Sequence, residues 1–229
     1  MLLLTLSATI AGCSENNSPA PIEGTPATTL KYLALGDSYT IGESVCATCR
    51  FPAQLKDSLQ NYLDSNIDLR IIAQTGWTTT NLKEAIVNQH PPANYDLVTL
   101  LIGVNNQYQN RPFSLYQQEF PELVNTAISL AKGDKNNVIV VSIPDYAYTP
   151  FGQGSGNQAE ISAEIDQYNA FAQAYCEGQN IRFVTITDIT REGISNPNLV
   201  AGDGLHPSEL AYTRFVERIV QGASEILVD

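Results

Sequence analysis

The sequence LKYLALGDSYTIG, residues 30–42, decides how the rest of the chain is read. Its apolar run, Tyr32-Leu33-Ala34-Leu35, has the make-up of a buried strand and stops abruptly at Gly36-Asp37-Ser38. Glycine permits a sharp turn at that point, and the serine brings a hydroxyl. In an open α/β sheet, residues just past the strand ends line the binding crevice. Ser38 is therefore a turn residue or a nucleophile, and this stretch alone does not separate the two.

Downstream, Phe51, Leu55, Leu59 and Leu63 recur every fourth residue, which predicts a helix packed on one face. Residues 69–73 read as a second strand, residues 78–88 as a short helix, and residues 97–102 as a third strand. The third is apolar almost throughout, as befits a central parallel strand covered on both faces. Phe120, Leu123, Val124, Ala127, Ile128 and Ala131 form a helical stripe. Residues 138–143 give a fourth strand, stopped by Pro144. Ile161, Ile165, Tyr168, Ala172 and Tyr175 mark another helix, and residues 181–186 a fifth strand. The last helix carries Tyr212, Phe215, Val216, Ile219, Ala223 and Ile226 on one face. This alternation predicts a single α/β domain with a five-stranded parallel sheet flanked by helices. Residues 144–157 make a long connection, expected to act as a lid or pocket wall.

The 229 residues are 43% hydrophobic and carry a net charge of −12. That is enough chain for one sizeable core. The acidity disfavours nucleic acid and anionic membrane surfaces as partners and otherwise serves solubility.

Residues 1–12, MLLLTLSATIAG, are apolar and uncharged, too short to span a bilayer, and expected to be a signal peptide. The basic segment that normally precedes such a run is missing, so a start further upstream is expected. Ile10-Ala11-Gly12-Cys13 resembles a bacterial lipobox, which implies that Cys13 becomes a lipidated N-terminus. Such an anchor tethers a chain without spanning the membrane. The location expected is then the periplasm or outer membrane of a bacterium; the alternative is a soluble secreted protein. Residues 13–29 form the lipidated end and a linker rich in Pro, Ser, Thr and Asn, leaving residues 30–229 as the folded domain. In an exported protein Cys46 and Cys49 can close a disulfide. A redox motif would open a thioredoxin-like βαβ unit, and zinc would need two more nearby ligands; neither condition is met. Cys176 reads as a small core residue.

A parallel sheet gathers the carboxyl ends of its strands on one edge. Ser38, Gly76 and Asn105 follow three of those ends, and Asp203-Gly-Leu-His206-Pro207 precedes the last helix. A serine needs a base to become a nucleophile, and histidine is the natural one near neutral pH. Of the two histidines, His90 precedes Pro91-Pro92 in a helix-to-strand loop, at the opposite edge. His206 is the remaining candidate, with Asp203 placed to reach its other ring nitrogen. The N–H groups of Ser38 and Gly76 and the amide of Asn105 are candidate donors to a developing oxyanion. Each residue also has a structural reading: Gly76 as a turn, Asn105 as a cap, Asp203 and His206 as caps of the last helix. Their joint occurrence at the proper ends of alternating elements favours a site. No cofactor or metal is called for. Trp77, Tyr108, Phe113, Tyr146, Tyr148 and Phe151 fit an acyl groove, a sugar platform or the core. Tyr39, Trp77, Tyr108 and Tyr146 are the candidate pocket residues.

Over residues 30–228 these blocks resemble the SGNH hydrolases, also called GDSL esterases and lipases. Gly36-Asp37-Ser38 matches their first block and Gly76 the second. Gly103-x-Asn105 matches the third, and Asp203-x-x-His206-Pro207 the fourth. The G-x-S-x-G elbow of α/β-hydrolases is absent, because residue 40 is threonine. The resemblance implies a flavodoxin-like three-layer α/β/α sandwich and metal-independent hydrolysis of carboxylic esters. It implies the triad roles for Ser38, Asp203 and His206 and the oxyanion roles for Ser38, Gly76 and Asn105. Tyr39 stands where leucine is frequent in the family, and Asn106 where aspartate is common. Similarity to lysophospholipase-like members points to acyl, aryl or lysophospholipid esters. The alternatives are a carbohydrate O-acetylesterase of the cell envelope, an acyltransferase, and a noncatalytic glycan- or lipid-binding lipoprotein.

Overall fold

The computed structural model describes residues 29–228. Strand β1 (Leu30–Gly36) runs into a one-turn helix α1 (Ser38–Ile41). Helix α2 (Phe51–Leu63) leads to β2 (Ile67–Ala73), and α3 (Thr79–Gln89) to β3 (Leu97–Leu101). Then come α4 (Val104–Tyr108), α5 (Phe113–Leu130) and β4 (Val138–Val141). The chain continues through α6 (Pro150–Gln153), α7 (Gln158–Gln179), β5 (Arg182–Val184), α8 (Thr187–Thr190) and α9 (Glu209–Val228).

All strands are parallel, in the order β2-β1-β3-β4-β5. Helices α2 and α9 pack together on one side, and α3, α5 and α7 pack in succession on the other. This is the expected α/β/α sandwich. Every residue of β3 and β4 is buried, which is why these strands read as unbroken apolar runs. The edge strand β2 is covered less completely. From β1 the chain first winds outward to β2 and then returns to the other side of β1 as β3. The carboxyl ends of β1 and β3, paired at Gly36 and Leu101, therefore flank a topological switch point, where such sheets bind ligands.

The structure corrects several local readings. The turn at Ser38 is the first turn of a short helix. Strands β4 and β5 are shorter than residues 138–143 and 181–186 suggest. Past Val141, the Ile143 N–H goes to the Asn169 side chain at 2.8 Å, and Ser142 Oγ accepts from the Ile186 and Thr187 N–H groups. Side chains replace the ladder there. Residues 144–157 hold a 3₁₀ turn, Tyr146–Tyr148, and α6. Cys46 and Cys49 are joined as a disulfide in the loop between α1 and α2. Cys176 is buried, and burial pushes its thiol up to about 12. Among the described residues no helix is long and apolar enough to cross a membrane. The expected signal peptide, the Cys13 lipidation site and nearly all of the linker lie outside the described residues.

Candidate active site

The turn after β1 is built on close approach. A Cβ at Gly36 would lie 2.1 Å from Thr40 Oγ1 and 2.4 Å from the Leu101 carbonyl oxygen, so glycine alone lets α1 fold back on the strand. Asp37 then caps α1, its Oδ1 accepting from the Tyr39 N–H at 3.0 Å. Its Oδ2 receives the Asn105 side-chain amide at 3.4 Å. Asp37 is wholly buried, and that burial pushes its carboxyl up to about 7 despite these two donors. Ser38 follows as the first residue of α1, buried on the protein side and lining a cavity on the other.

Asp203 and His206 meet in the loop before α9. Asp203 Oδ1 accepts from the N–H groups of Leu205 and His206 at 2.9 and 3.0 Å. Its Oδ2 meets His206 Nδ1 at 2.6 Å and also accepts from Ser44 Oγ at 2.7 Å. Partial burial pushes the Asp203 carboxyl up, but these donors outweigh it and hold the group well below the ordinary carboxylate range. Asp203 thus holds one ring nitrogen of His206, and Nε2 has no hydrogen-bond partner among the described residues. The Tyr39 ring lies 5.2 Å from that of His206 and packs against it.

Ser38, Tyr39, Thr75, Gly76, Asn105 and His206 share one cavity of about 210 Å³, closed by Val104, Tyr108, Tyr146, Phe151 and Leu205. Gly76 has φ +82° and nothing within 4 Å of where a Cβ would be, so its backbone is bare toward open space. Gln109 holds its carbonyl from the other side at 2.8 Å. Among the described residues neither the Ser38 nor the Gly76 N–H has a hydrogen-bond acceptor. Asn105 uses one amide hydrogen on Asp37 and keeps one. Asn106 braces the neighbouring loop: its side chain accepts from the Thr79 N–H at 2.9 Å and donates to Thr79 Oγ1 at 2.7 Å. Thr79 Oγ1 in turn donates to the buried Glu119. The Ser38 hydroxyl makes no hydrogen bond to the imidazole here, as is common for such pairs before substrate binds. A larger hollow, about 880 Å³, lies at the opposite edge beside Leu30 and Arg182 and holds neither a serine nor a histidine. Among the described residues no three His, Cys, Asp or Glu side chains are grouped to hold a metal ion.

Residues 34–214 match the GDSL-like Lipase/Acylhydrolase family. The chain belongs to that family. A lipolytic G-D-S-L protein from Veillonella parvula superposes with a TM-score of 0.64 at 19% identity, over 84% of this chain and 97% of that one. A lipase from a goat-rumen metagenome gives 0.67 at 16%, over 86% and 98%. An acetylxylan esterase from Geobacillus stearothermophilus gives 0.58 at 21%, over 86% and 95%. At these identities the likeness is one of fold. The secreted effector protein SseJ of Salmonella typhimurium is 26% identical over 94 residues, which span 40% of this chain and 22% of that protein.

In this GDSL-family chain, the residues expected from sequence at the strand ends and before α9 do converge. The pocket set is corrected in one member. Tyr39, Tyr108 and Tyr146 line the cavity, but Trp77 packs against the core instead. It lies between the Gly76 turn and the Thr78 cap of α3, where its large ring is partly buried against the core. Phe113 also belongs to the core, edge-on to Tyr168 at 4.9 Å, and Tyr148 lies under Arg191. Phe151, weighed with these aromatics, is at the cavity. Two residues escaped the sequence reading. Asp37 caps α1, and an aspartate just before a helix is a capping signature. Ser44 sits 159 residues from Asp203, and no local pattern joins them.

Proposed function

We propose that the chain is a serine carboxylic ester hydrolase that works through an acyl-enzyme on Ser38. The observation that carries this reading is the 2.6 Å Asp203–His206 pair in the same cavity as Ser38. Ser38 Oγ attacks the ester carbonyl carbon while His206 Nε2 takes its proton. The carbonyl oxygen gathers negative charge and accepts from the Ser38 and Gly76 N–H groups and the spare Asn105 amide hydrogen. Collapse breaks the bond to the alcohol oxygen, which receives the proton from His206. Water then attacks the acyl-enzyme with His206 again as base, releasing the acid and restoring the Ser38 hydroxyl. Asp203 stays ionised throughout and stabilises the imidazolium. The steps require no metal.

The space beside Ser38 is about 210 Å³ and open on one side, which supports a short acyl group over a lipid chain. We further propose that lipid on Cys13 tethers the domain through the linker of residues 13–29, on the strength of the Ile10-Ala11-Gly12-Cys13 sequence. The test of the chemistry is turnover of p-nitrophenyl acetate and octanoate together with labelling by a fluorophosphonate. Ser38→Ala is expected to lose about 10⁴-fold in rate and all labelling. A Ser38→Ala protein that keeps the wild-type rate would defeat the mechanism. Ligand binding without Ser38 labelling would point to a noncatalytic binder.

A further inference from the structure

The aromatic wall of the Ser38 cavity is shared with a neighbouring hollow. Tyr108, Tyr146 and Phe151 also form one side of a second groove, about 460 Å³, that runs along the start of α7. The three rings touch one another, with centroids 5.8 to 6.4 Å apart, so they make a continuous surface rather than a cage around a central space. Tyr108 and Phe151 are 51% and 43% exposed, and apolar rings left open beside a reactive cavity mark a contact surface.

The rest of the groove is polar and acceptor-rich: Gln107, Asn110, Ser155, Asn157, Glu160 and Glu164. Glu164 Oε2 is fixed by Gln107 Nε2 at 2.7 Å, and Glu160 Oε2 accepts from Asn157 at 3.4 Å. Each carboxylate thus keeps further lone pairs for other donors. No lysine or arginine lines either the groove or the cavity. A phosphate placed there would meet two carboxylates and no cation, whereas hydroxyl groups would find acceptors on the polar side and exposed, mutually tilted aromatic rings on the other.

We propose that this groove holds the alcohol half of the ester, and that it selects a hydroxyl-rich, uncharged alcohol: the ring of an O-acylated carbohydrate. The proposal rests on the ester-hydrolase reading of Ser38. The scissile bond then lies where cavity and groove meet, with the short acyl group toward Ser38 and Gly76. The sugar ring packs on Tyr108, with Phe151 tilted beside it, and the leaving oxygen faces His206.

The test uses one acyl group on four alcohols. The full-length chain is assayed on the acetyl esters of p-nitrophenol, a methyl glycoside, glycerol 3-phosphate and choline. The glycoside acetate is expected to exceed the glycerol-phosphate acetate by at least tenfold in kcat/KM. Asn157→Ala and Glu164→Gln are each expected to lower the ratio of glycoside to aryl kcat/KM about tenfold, the scale of one hydrogen bond. Equal rates on glycoside and glycerol-phosphate acetates would overturn the proposal. So would a preference for the choline ester, or variants that change glycoside and aryl rates alike. Failure of the wild type to hydrolyse even the aryl acetate would instead refute the esterase reading, and the groove's role with it.

Discussion

Removing the hydroxyl of Ser44 is expected to slow catalysis without touching substrate. Ser44 Oγ donates to Asp203 Oδ2 at 2.7 Å, on the same oxygen that His206 Nδ1 meets at 2.6 Å. A hydrogen bond to a charged group contributes about 1.5–3 kcal/mol. The Asp203 side chain is 28% exposed, so water replaces part of that and about 1 kcal/mol remains. If Ser44 acts by holding Asp203 in line with the imidazole, kcat should fall about five- to tenfold with KM nearly unchanged. Ser44 has φ +65°, a left-handed conformation that glycine adopts freely and alanine does not. Ser44→Gly and Ser44→Ala therefore lose the same hydroxyl but differ in backbone strain. Equal loss of kcat in both, with Ser44→Gly the more stable in urea, assigns the effect to the hydrogen bond. The dependence of stability on pH supplies a second readout. Asp203 is held below its ordinary range, so the benefit of its charge is present above the unfolded value of 3.8 and is lost as pH falls through the folded one. Without Ser44 that loss should begin at higher pH. If both variants keep kcat within twofold of wild type and leave the acid end of the stability curve in place, Ser44 does not position Asp203.

Three further outcomes are expected. Because the folded Asp37 carboxyl rises from 3.8 to about 7, its neutral form stabilises the fold fully below the unfolded value. That contribution is lost as pH rises toward 7, on the order of 4 kcal/mol in all. Asp37→Asn should remove it, so denaturant titrations at pH 4.5 and 7.5 should show wild type losing ground to the variant at the higher pH; parallel behaviour would count against a neutral Asp37. Gly36→Ala forces a Cβ within 2.4 Å of the Leu101 carbonyl oxygen and should cost about 2–3 kcal/mol, read as a lower urea midpoint. Cys13→Ala should move the protein from the membrane to the soluble fraction and abolish labelling with radioactive palmitate, and retention of label would place the lipid elsewhere.

The parts of the fold that could be read in the sequence are those where one physical demand dominates. β3 and β4 are covered on both faces and so read as uninterrupted apolar runs, and α2 shows its buried stripe at regular intervals. The ends of β4 and β5 could not be read, because Asn169 and Ser142 take over the backbone partners and hydrophobicity does not report a side chain's hydrogen bonds. Ser38, Gly76, Asn105 and His206 were legible because a parallel sheet delivers all its strand ends to one edge. Trp77 was misplaced because an aromatic beside a turn serves a pocket or a core equally well in one dimension. Ser44 was invisible: its importance comes only from the docking of a distant loop.

That docking sets the timing of activity during biosynthesis. Ser38 lies near the start of the folded domain, while Asp203 and His206 lie just before its last helix. The contact between Ser44 and Asp203 closes a loop of 159 residues. Such long-range contacts form late, after the intervening strands have assembled. On the proposed mechanism, a chain truncated before residue 203 carries the serine without its base and is inert. Ester turnover would then be a readout of completed folding, available only once Asp203 and His206 have docked.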